Sequence, residues 1–469
     1  MQKFEDAATH IKGNIESKTQ DSKGNSKDVT NVTSKKDSIN NDISNDSIES
    51  KNSKEVTNVT PNKNDKNDKE IKILFPKIDS KNAINHIESL QNLKALSPFN
   101  NEVCEFLNKL SQKILQDKEA KNYPDIITFG FFCRGTNLAK LKQHYDVESR
   151  LGRGLSFHIA PSNVAINFAF SLIASLLAGN ANIVRVSSKD FAQTRIICRI
   201  LDSIESVIKD YICIVQYPHS RELNDKLSQI ADNRIIWGGD KTIENVRLSP
   251  LKPRSVELAF ANRYSLCVIE SGAILNLDSK DLGKLARDFY NDTYLYDQNA
   301  CSSPFLIFWL GQDCMQKARE KFWSAIFSYV KNRYEMQDII ALDKIVNECK
   351  MAIDLDSVRV QNYENLINTI FVPNLDSIES KSIKTYATPG GSFIESSGNS
   401  LESLFNIIDS SYQTLSYFGL DSKTLQQEII KKGLKGIDRI VPIGQTSNFS
   451  LTWDGYNLIT SLSHKISRF

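Results

Sequence analysis

Apolar residues in the middle of the chain form short runs that alternate with longer segments of helical periodicity. Residues 155–160 and 183–186 are predicted strands, and 163–178 is a predicted helix capped by Ser162 or Asn163. That helix is apolar on several faces, which is typical of a buried helix. Together these segments predict a β-α-β unit.

The same alternation continues towards the C-terminus. Helices are predicted at 192–208, 221–231 and 281–295, and strands at 211–215, 234–237, 265–269 and 305–310. Repeated β-α-β units with short strands predict an α/β fold with a doubly wound parallel sheet. The continuous apolar run 305–310 is typical of a central strand. Cys301 should therefore lie on the loop between a helix and this strand.

The composition changes near residue 70. Residues 11–70 are rich in Asn, Ser, Lys and Asp and contain few large apolar side chains. Such a segment cannot bury enough surface to offset the entropy lost on ordering, so residues 1–70 are predicted to form a disordered tail. A tail that docks a partner is the alternative.

Charge and cysteine content argue against several classes of protein. The 58 basic and 56 acidic residues give a net charge of +2, which gives no support to nucleic acid or an anionic membrane as the main partner. The eight cysteines form no CxxC pair, so neither a metal site nor a disulfide framework is expected. We see no secretory signal and no apolar segment long enough for a convincing membrane span, and we expect a cytoplasmic protein.

Cys301 and Asn163 are the candidates for covalent chemistry. A thiol can accept an acyl group, but it attacks as the thiolate. No cationic residue adjoins Cys301 in the sequence, so activation would come from backbone amides or distant residues. Asn163 would lie in the first turn of the predicted helix, where its amide could stabilise an oxyanion. The alternatives are a buried, unreactive cysteine and a plain helix cap.

Four residues at the ends of predicted strands are candidates for cofactor binding. Arg185, followed by Ser187, could hold a ribose hydroxyl or a 2′-phosphate, unless it forms a surface salt bridge. Gly238 and Gly239 could let a pyrophosphate approach closely, although a plain turn is the simpler interpretation. The ordinary glycine fingerprint of dinucleotide-binding folds is absent. His158 is interpreted as a core histidine rather than a catalytic base.

Three separated segments resemble the bacterial luminescence-type long-chain acyl-CoA reductase family. They are residues 154–190, the segment DQNACSSP at 297–304, and GIDRIVPIG at 436–444 with Trp453-Asp454-Gly455. The resemblance covers roughly residues 100–469. This family is similar in turn to the aldehyde dehydrogenase superfamily, which binds its cofactor without the glycine fingerprint.

The resemblance implies an aldehyde dehydrogenase-like fold with two α/β domains. An NADP-binding, Rossmann-like domain is expected at 71–275 and a catalytic domain at 276–435. Segment 436–469 is expected to return to the cofactor domain or to an oligomer interface.

The resemblance also implies roles for individual residues. Cys301 takes the place of the nucleophile and Asn163 that of the oxyanion donor. Arg185 falls where aldehyde dehydrogenases usually place a lysine against the adenosine ribose. Gly238 and Gly239 fall near the turn that contacts the pyrophosphate in those enzymes.

The expected activity is the NADPH-dependent reduction of an acyl-CoA to an aldehyde through an acyl group on Cys301. An acyl-transferring partner enzyme and a homo-oligomer are further expectations. The first alternative is an NAD-dependent aldehyde dehydrogenase, which needs a general base; Glu257 matches the position of that base only in part. The second alternative is a catalytically silent scaffold.

Overall fold

The structure is a computed structural model that describes residues 71–78, 82–355, 357–375 and 384–468. The predicted tail, residues 1–70, lies outside the described residues. The N-terminal half of the described chain contains β1 (Lys72–Phe75), α1 (Ala83–Ser89), α2 (Asn101–Gln116), α3 (Pro124–Phe132), α4 (Gly135–Lys142), β2 (Arg150–Gly152), β3 (Leu155–Ile159), α5 (Asn167–Leu177), β4 (Ala181–Arg185), α6 (Ala192–Asp202), β5 (Ile212–Gln216), α7 (Arg221–Ile230), β6 (Asn233–Trp237), α8 (Asp240–Arg247) and β7 (Val256–Phe260).

The C-terminal half of the described chain follows β7 after a short connection. It contains β8 (Tyr264–Glu270), α9 (Ser271–Leu275), α10 (Ser279–Thr293), β9 (Pro304–Leu310), α11 (Met315–Val330), α12 (Asp338–Asp354), β10 (Arg359–Tyr363), β11 (Ile367–Phe371), β12 (Ser392–Gly398), α13 (Glu402–Asn406), β13 (Tyr412–Phe418), α14 (Ser422–Lys432), β14 (Arg439–Pro442), β15 (Thr452–Trp453), β16 (Tyr456–Asn457), α15 (Leu458–Ser461) and β17 (Ser463–Lys465). None of the described helices is both long enough and apolar enough to cross a membrane.

Six strands form the first sheet, in the order β1-β5-β4-β3-β6-β7. Only β1 runs antiparallel to its neighbour. The chain passes from β3 through β4 to β5 on one side and then returns to β6 and β7 on the other. The doubly wound sheet predicted from the sequence is therefore confirmed. Its switch point lies between β3 and β6, where folds of this kind bind ligands beyond the carboxyl ends of the strands.

Seven strands form the second sheet, in the order β10-β11-β12-β9-β8-β13-β14. β9 lies in the middle and pairs with β8 and β12, as its uninterrupted apolar sequence predicted. β8 belongs to this sheet, whereas the expected domain boundary at residue 275 grouped it with the first. The reason is that both faces of β8 are covered by the second core, and such a strand carries no sequence signal for which sheet it joins.

Two predicted helices differ in length from those observed. The helix expected at 163–178 begins only at Asn167, because residues 162–166 form a bend and a turn in which the Asn167 amide donates to the Val164 carbonyl (3.2 Å). The helix expected at 192–208 ends at Asp202. There the Ser203 hydroxyl and the Lys209 ammonium bond the carbonyls of its last turn, at 2.7 and 2.9 Å.

His158 is a core histidine, as predicted. Its ring is fully buried, and its two nitrogens bond the Ser171 hydroxyl at 2.8 Å and the Asn182 side-chain oxygen at 3.0 Å. Burial lowers the pKa of His158 to about 4. A neutral ring with both nitrogens occupied is a poor catalytic base at physiological pH.

The segment after residue 436 contacts both sheets. β14 adds to the edge of the second sheet beside β13. β17 pairs antiparallel with β2, and the Asn180 amide donates to the Leu462 carbonyl at 2.9 Å. The residues between β14 and β17 therefore cross from one sheet to the other, next to the cavity described below.

Candidate active site

A cavity of about 750 Å³ extends from the carboxyl ends of β3, β4 and β6 to the loop before β9. This position includes the switch point of the first sheet. The residues predicted for chemistry and for cofactor binding all line it, namely Cys301, Asn163, Arg185, Ser187, Gly238 and Gly239. The fold thus brings together side chains that are separated by up to 138 positions in the sequence.

The loop that carries Cys301 is fixed by Gln298. The Gln298 side chain is fully buried and donates to the carbonyls of Pro304 (3.0 Å) and Ser392 (3.1 Å). Its oxygen accepts from the amides of Gly391 (2.9 Å) and Ser392 (3.2 Å). Every hydrogen-bonding atom of this amide is therefore used to hold the loop against the start of β12.

Cys301 is partly buried on this loop and faces the cavity. Burial, and secondarily the Asp454 carboxylate, raises the pKa of the Cys301 thiol to about 11. The Gln413 side chain and the cations Arg439 and Arg263 act in the opposite direction on this pKa. The Gln413 nitrogen Nε2 lies 3.5 Å from the sulfur. The groups that lower the pKa of Cys301 are thus distant from it in the sequence.

Gln413 is itself held in one orientation. Its Nε2 also donates to Oδ1 of Asp454, and its Oε1 accepts from the Thr414 hydroxyl at 3.2 Å. A carboxylate only accepts, so the nitrogen of the amide must face Asp454. The two hydrogens on one nitrogen therefore serve Asp454 and the sulfur of Cys301.

Asp454 reaches the cavity from a two-residue turn between β15 and β16. Asp454 and Gly455 have φ values of 48° and 73°, a pattern typical of the tight hairpin turn that favours Asp-Gly. The carboxylate is buried, and this burial raises the pKa of Asp454. Arg439 stacks on the neighbouring Trp453 ring at 4.4 Å.

Sequence reasoning did not identify Gln413, Asp454 or the two arginines as parts of the site. Asp454 and Arg439 stand in the C-terminal segments that carry the resemblance, which was a signal for their importance. Gln413 offered none, since it lies within an ordinary strand, 112 positions from Cys301.

Asn163 lies four residues before α5 and is exposed, so it is not in the first turn of that helix as predicted. Its side-chain nitrogen donates to the Asn299 carbonyl at 3.1 Å. This bond connects the turn after β3 to the loop that carries Cys301. The second hydrogen on the same nitrogen has no partner among the described residues and can donate into the cavity.

The four candidate cofactor residues line the cavity from the carboxyl ends of β4 and β6. Arg185 stacks on the Tyr217 ring at 4.9 Å and donates to the Tyr217 carbonyl at 3.2 Å. Its Nε is buried without a partner among the described residues, as expected of a donor awaiting a ligand. The Ser187 hydroxyl accepts from the Lys189 amide at 3.1 Å.

Gly238 and Gly239 lead into α8, whose first turn has no side-chain cap. A Cβ atom at Gly238 would lie 3.0 Å from the Thr242 side chain, and one at Gly239 would lie 3.2 Å from Asn262. The small residues keep this approach open, so that a pyrophosphate could reach the amides at the helix start. The donors here fit a dinucleotide phosphate.

Glu257 is not positioned as a base. On β7 its carboxylate accepts from Arg234 at 2.5 and 2.8 Å and from Arg247 at 2.7 Å. It does not line the cavity. Among the described residues of the cavity wall, the only carboxylate is that of Asp454.

Residues 137–337 match the family described as "Acyl-CoA reductase (LuxC)". A long-chain acyl-protein thioester reductase of Aliivibrio fischeri is 28% identical over 166 residues, which cover 34% of this chain and 33% of that protein. One from Photorhabdus luminescens is 21% identical over 339 residues, 67% of this chain and 64% of that protein. The chain thus spans about a third of the Aliivibrio relative it matches.

Solved structures show the same fold. Aldehyde dehydrogenase 21 from Physcomitrella patens covers 83% of this chain with a TM-score of 0.57 and 12% identity, and 90% of that chain is covered. A lactaldehyde dehydrogenase covers 80%, with 85% of its own chain covered, a TM-score of 0.56 and 13% identity. This chain resembles LuxC acyl-CoA reductases and has an aldehyde dehydrogenase fold. Both expectations from the sequence are confirmed.

Proposed function

We propose that this protein is an NADPH-dependent acyl-thioester reductase that converts an acyl-CoA into an aldehyde through an acyl group on Cys301. The observation that carries the proposal is the shared cavity, which is lined both by the thiol and by the first-sheet residues that we propose as the cofactor site. The relatives are named for acyl-protein thioesters. We therefore include an acyl group delivered on a partner protein as an alternative donor.

In the first step, the Cys301 thiolate attacks the thioester carbon. The new carbon–sulfur bond forms as the bond to CoA breaks, and the CoA thiolate takes up a proton equivalent to the one that Cys301 released. Gln413 donates to the Cys301 sulfur and favours its anionic form. Asp454 keeps the Gln413 amide turned towards that sulfur. We propose this arrangement as the source of thiolate stabilisation.

The negative charge that develops on the substrate oxygen must be stabilised by a hydrogen-bond donor. Asn163 has one hydrogen committed to Asn299, which holds the amide beside the Cys301 loop, and one hydrogen for the substrate. A donor held in place before the reaction is worth more than one that must reorganise. The same contact would serve when the acyl-cysteine is reduced and when the resulting thiohemiacetal collapses to release the aldehyde.

The reduced nicotinamide would supply the hydride that converts the acyl-cysteine. Arg185 and Ser187 are proposed to hold the adenosine ribose and its 2′-phosphate, with Gly238 and Gly239 at the pyrophosphate. The aromatic rings of Phe170, Phe449 and Trp453 line the same cavity as Cys301, with centroid distances of 4.7 and 5.6 Å between successive rings. An apolar wall of this kind suits an acyl chain.

An aldehyde dehydrogenase that forms an acid would need a base to activate water. The pairing of Glu257 with two arginines argues against that reaction. The test is one preparation assayed in both directions. Acyl-CoA with NADPH should give an aldehyde, whereas an aldehyde with NAD and no CoA should give no acid. Acid formation would support the oxidative alternative, and inactivity in both assays would support the scaffold.

Arg185→Ala should raise the Michaelis constant for NADPH about ten- to a hundredfold, because a charge-assisted hydrogen bond is worth roughly 1.5–3 kcal/mol. The constant for NADH should change much less, since NADH lacks the 2′-phosphate. Steady-state kinetics with both cofactors measures this. Arg195→Ala, which removes an exposed arginine paired with Glu119, is the matched control. Equal losses for both cofactors would indicate that Arg185 contacts a group that NADPH and NADH share.

Gln413→Met should slow alkylation of Cys301 by iodoacetamide about tenfold or more at pH 8. Methionine keeps the bulk of glutamine but cannot donate, so the pKa of the thiol rises further. In the wild type the rate should increase with pH up to the thiol pKa of about 11, because only the thiolate reacts. Gln112→Met, at an exposed position, is the control. Identical pH profiles for wild type and Gln413→Met would show that Gln413 does not stabilise the Cys301 thiolate.

A further inference from the structure

The carboxylate of Asp454 lies beside the thiol of Cys301 and has an oxygen to spare. Its Oδ1 accepts from Nε2 of Gln413, the same nitrogen that lies 3.5 Å from the Cys301 sulfur. The carboxylate and the thiol are therefore neighbours across a single nitrogen atom. The second oxygen, Oδ2, accepts no hydrogen bond from any described residue. Because Asp454 lines the cavity, this oxygen can take up a proton there.

The charges of Asp454 and Cys301 oppose each other. Burial first, and the Asp454 charge second, raise the pKa of the Cys301 thiol to about 11. Moving the thiol proton to the carboxylate leaves one negative charge on this pair instead of two. Burial also raises the pKa of Asp454, which makes its carboxylate a stronger base than an exposed one.

Other charged groups face Asp454 as well. Besides burial, Arg263 and Arg439 act to lower the pKa of Asp454, and Asp438 acts to raise it. Arg263 pairs with Asp438 at 2.5 Å, and Arg439 donates to two main-chain carbonyls at 3.1 and 2.9 Å. Neither arginine forms an ion pair with Asp454 within the described parts of the chain. Asp454 can therefore exchange a proton without breaking a salt bridge.

We propose that Asp454 is the acid–base residue of the thioester reduction, an inference that rests on the proposed function. As the Cys301 sulfur attacks the thioester carbon, its proton passes to Oδ2 of Asp454, a transfer that one water molecule can bridge. The CoA thiolate leaves and takes a proton from solvent. After hydride transfer, the carbon–sulfur bond of the thiohemiacetal breaks, the oxygen forms the aldehyde carbonyl, and the sulfur takes its proton back from Asp454.

The return of the proton matters because of the thiol itself. A sulfur whose thiol has a pKa of about 11 leaves poorly as the anion, so its protonation favours release of the aldehyde. While Asp454 holds the proton, it cannot remove one from water, and the acyl-cysteine is kept from hydrolysis. Both consequences agree with a reductive enzyme.

Asp454→Asn tests this role, because asparagine keeps an oxygen that accepts from Gln413 but cannot take up a proton. Aldehyde formation from acyl-CoA and NADPH at pH 7 should fall about 10²-fold or more, the usual contribution of an acid–base group. Alkylation of Cys301 by iodoacetamide at pH 8 should instead become faster, because loss of the neighbouring charge lowers the pKa of the thiol. Asp313→Asn, at an exposed position outside the cavity, is the matched control and should change neither rate.

The pH dependence separates proton transfer from a positioning role. In Asp454→Asn the thiol must lose its proton to solvent, so the rate of aldehyde formation should rise with pH more steeply than in the wild type. The loss relative to the wild type should therefore shrink as the pH approaches that of the thiol pKa. A loss of the same size at every pH, or slower alkylation in the variant, would show that Asp454 only positions Gln413 and would overturn the proposal.

The wild type distinguishes failure of this inference from failure of the proposed function. If the wild type forms aldehyde and Asp454→Asn forms it equally fast, the acid–base role is wrong and the proposed function stands. If the wild type forms no aldehyde, the proposed function is wrong. The alkylation rates need neither acyl-CoA nor NADPH, and equal rates in the two proteins would then show that the carboxylate does not act on the thiol.

Discussion

Cys301→Ala should abolish acyl-CoA reduction, with a loss of more than about 10⁴-fold, and leave NADPH binding largely intact. The thiol forms the proposed covalent bond, and removing a nucleophile usually costs at least this much. The proposed cofactor residues follow β4 and β6, whereas Cys301 lies on the loop before β9, so the dissociation constant of NADPH should change by less than about threefold. Aldehyde formation and cofactor fluorescence measure the two quantities separately.

The matched control for this variant is Cys314→Ala. Cys314 is partly buried, like Cys301, but it does not line the cavity. The Cys314→Ala variant should therefore retain full activity. Residual turnover of Cys301→Ala above about a tenth of the wild-type rate would mean that the acyl group is transferred without this thiol.

Asn163→Ala should lower the rate of the chemical step by about 10²-fold or more, the usual effect of losing one oxyanion donor. Stability should hardly change, because Asn163 is exposed, does not cap α5 and makes a single hydrogen bond to Asn299. Single-turnover kinetics and thermal unfolding test the two parts. Ser162→Ala, an exposed neighbour in the same turn, is the control.

The two outcomes for Asn163 separate its roles. A slower chemical step at constant stability supports the donor. A large fall in stability at constant rate would mean that the contact with the Asn299 carbonyl matters for holding the loop and that the oxyanion is stabilised elsewhere.

The fold could be predicted as far as it follows from local periodicity. β3, β4, β5 and β6 alternate with helices whose apolar spacing is clear, and the run that forms β9 is apolar without interruption. The place of Cys301 before β9 followed from those assignments. The sheet that β8 joins did not, because a strand buried on both faces looks alike in either sheet.

The site could be predicted only where a residue stands in a recognisable local setting. Arg185 ends β4 and Gly238 directly follows β6, and the carboxyl ends of parallel strands meet at one edge of the sheet. Gln413 and Asp454 reach Cys301 through the packing of β13 and of the hairpin turn after β15. Their contact with each other spans 41 positions, and no periodicity encodes such a contact.

Glu257 shows that sequence context alone also does not decide the role of a side chain. Its sequence context suggested a partial match to a catalytic base. Its partners Arg234 and Arg247 lie on β6 and α8, and the ion pairs they form became visible only in the folded chain. A motif match establishes a position in the fold, whereas the partners of the side chain decide what it can do.

The most direct test of the central claim is mass spectrometry of the wild-type protein after incubation with acyl-CoA alone. Without NADPH the acyl group cannot be reduced, so it should accumulate on the thiol. The proposed mechanism predicts one acyl adduct per chain, on the peptide that contains Cys301, and its disappearance as aldehyde when NADPH is added. An adduct on Cys314 or Cys267 instead, or no adduct on any cysteine while aldehyde is still formed, would contradict it.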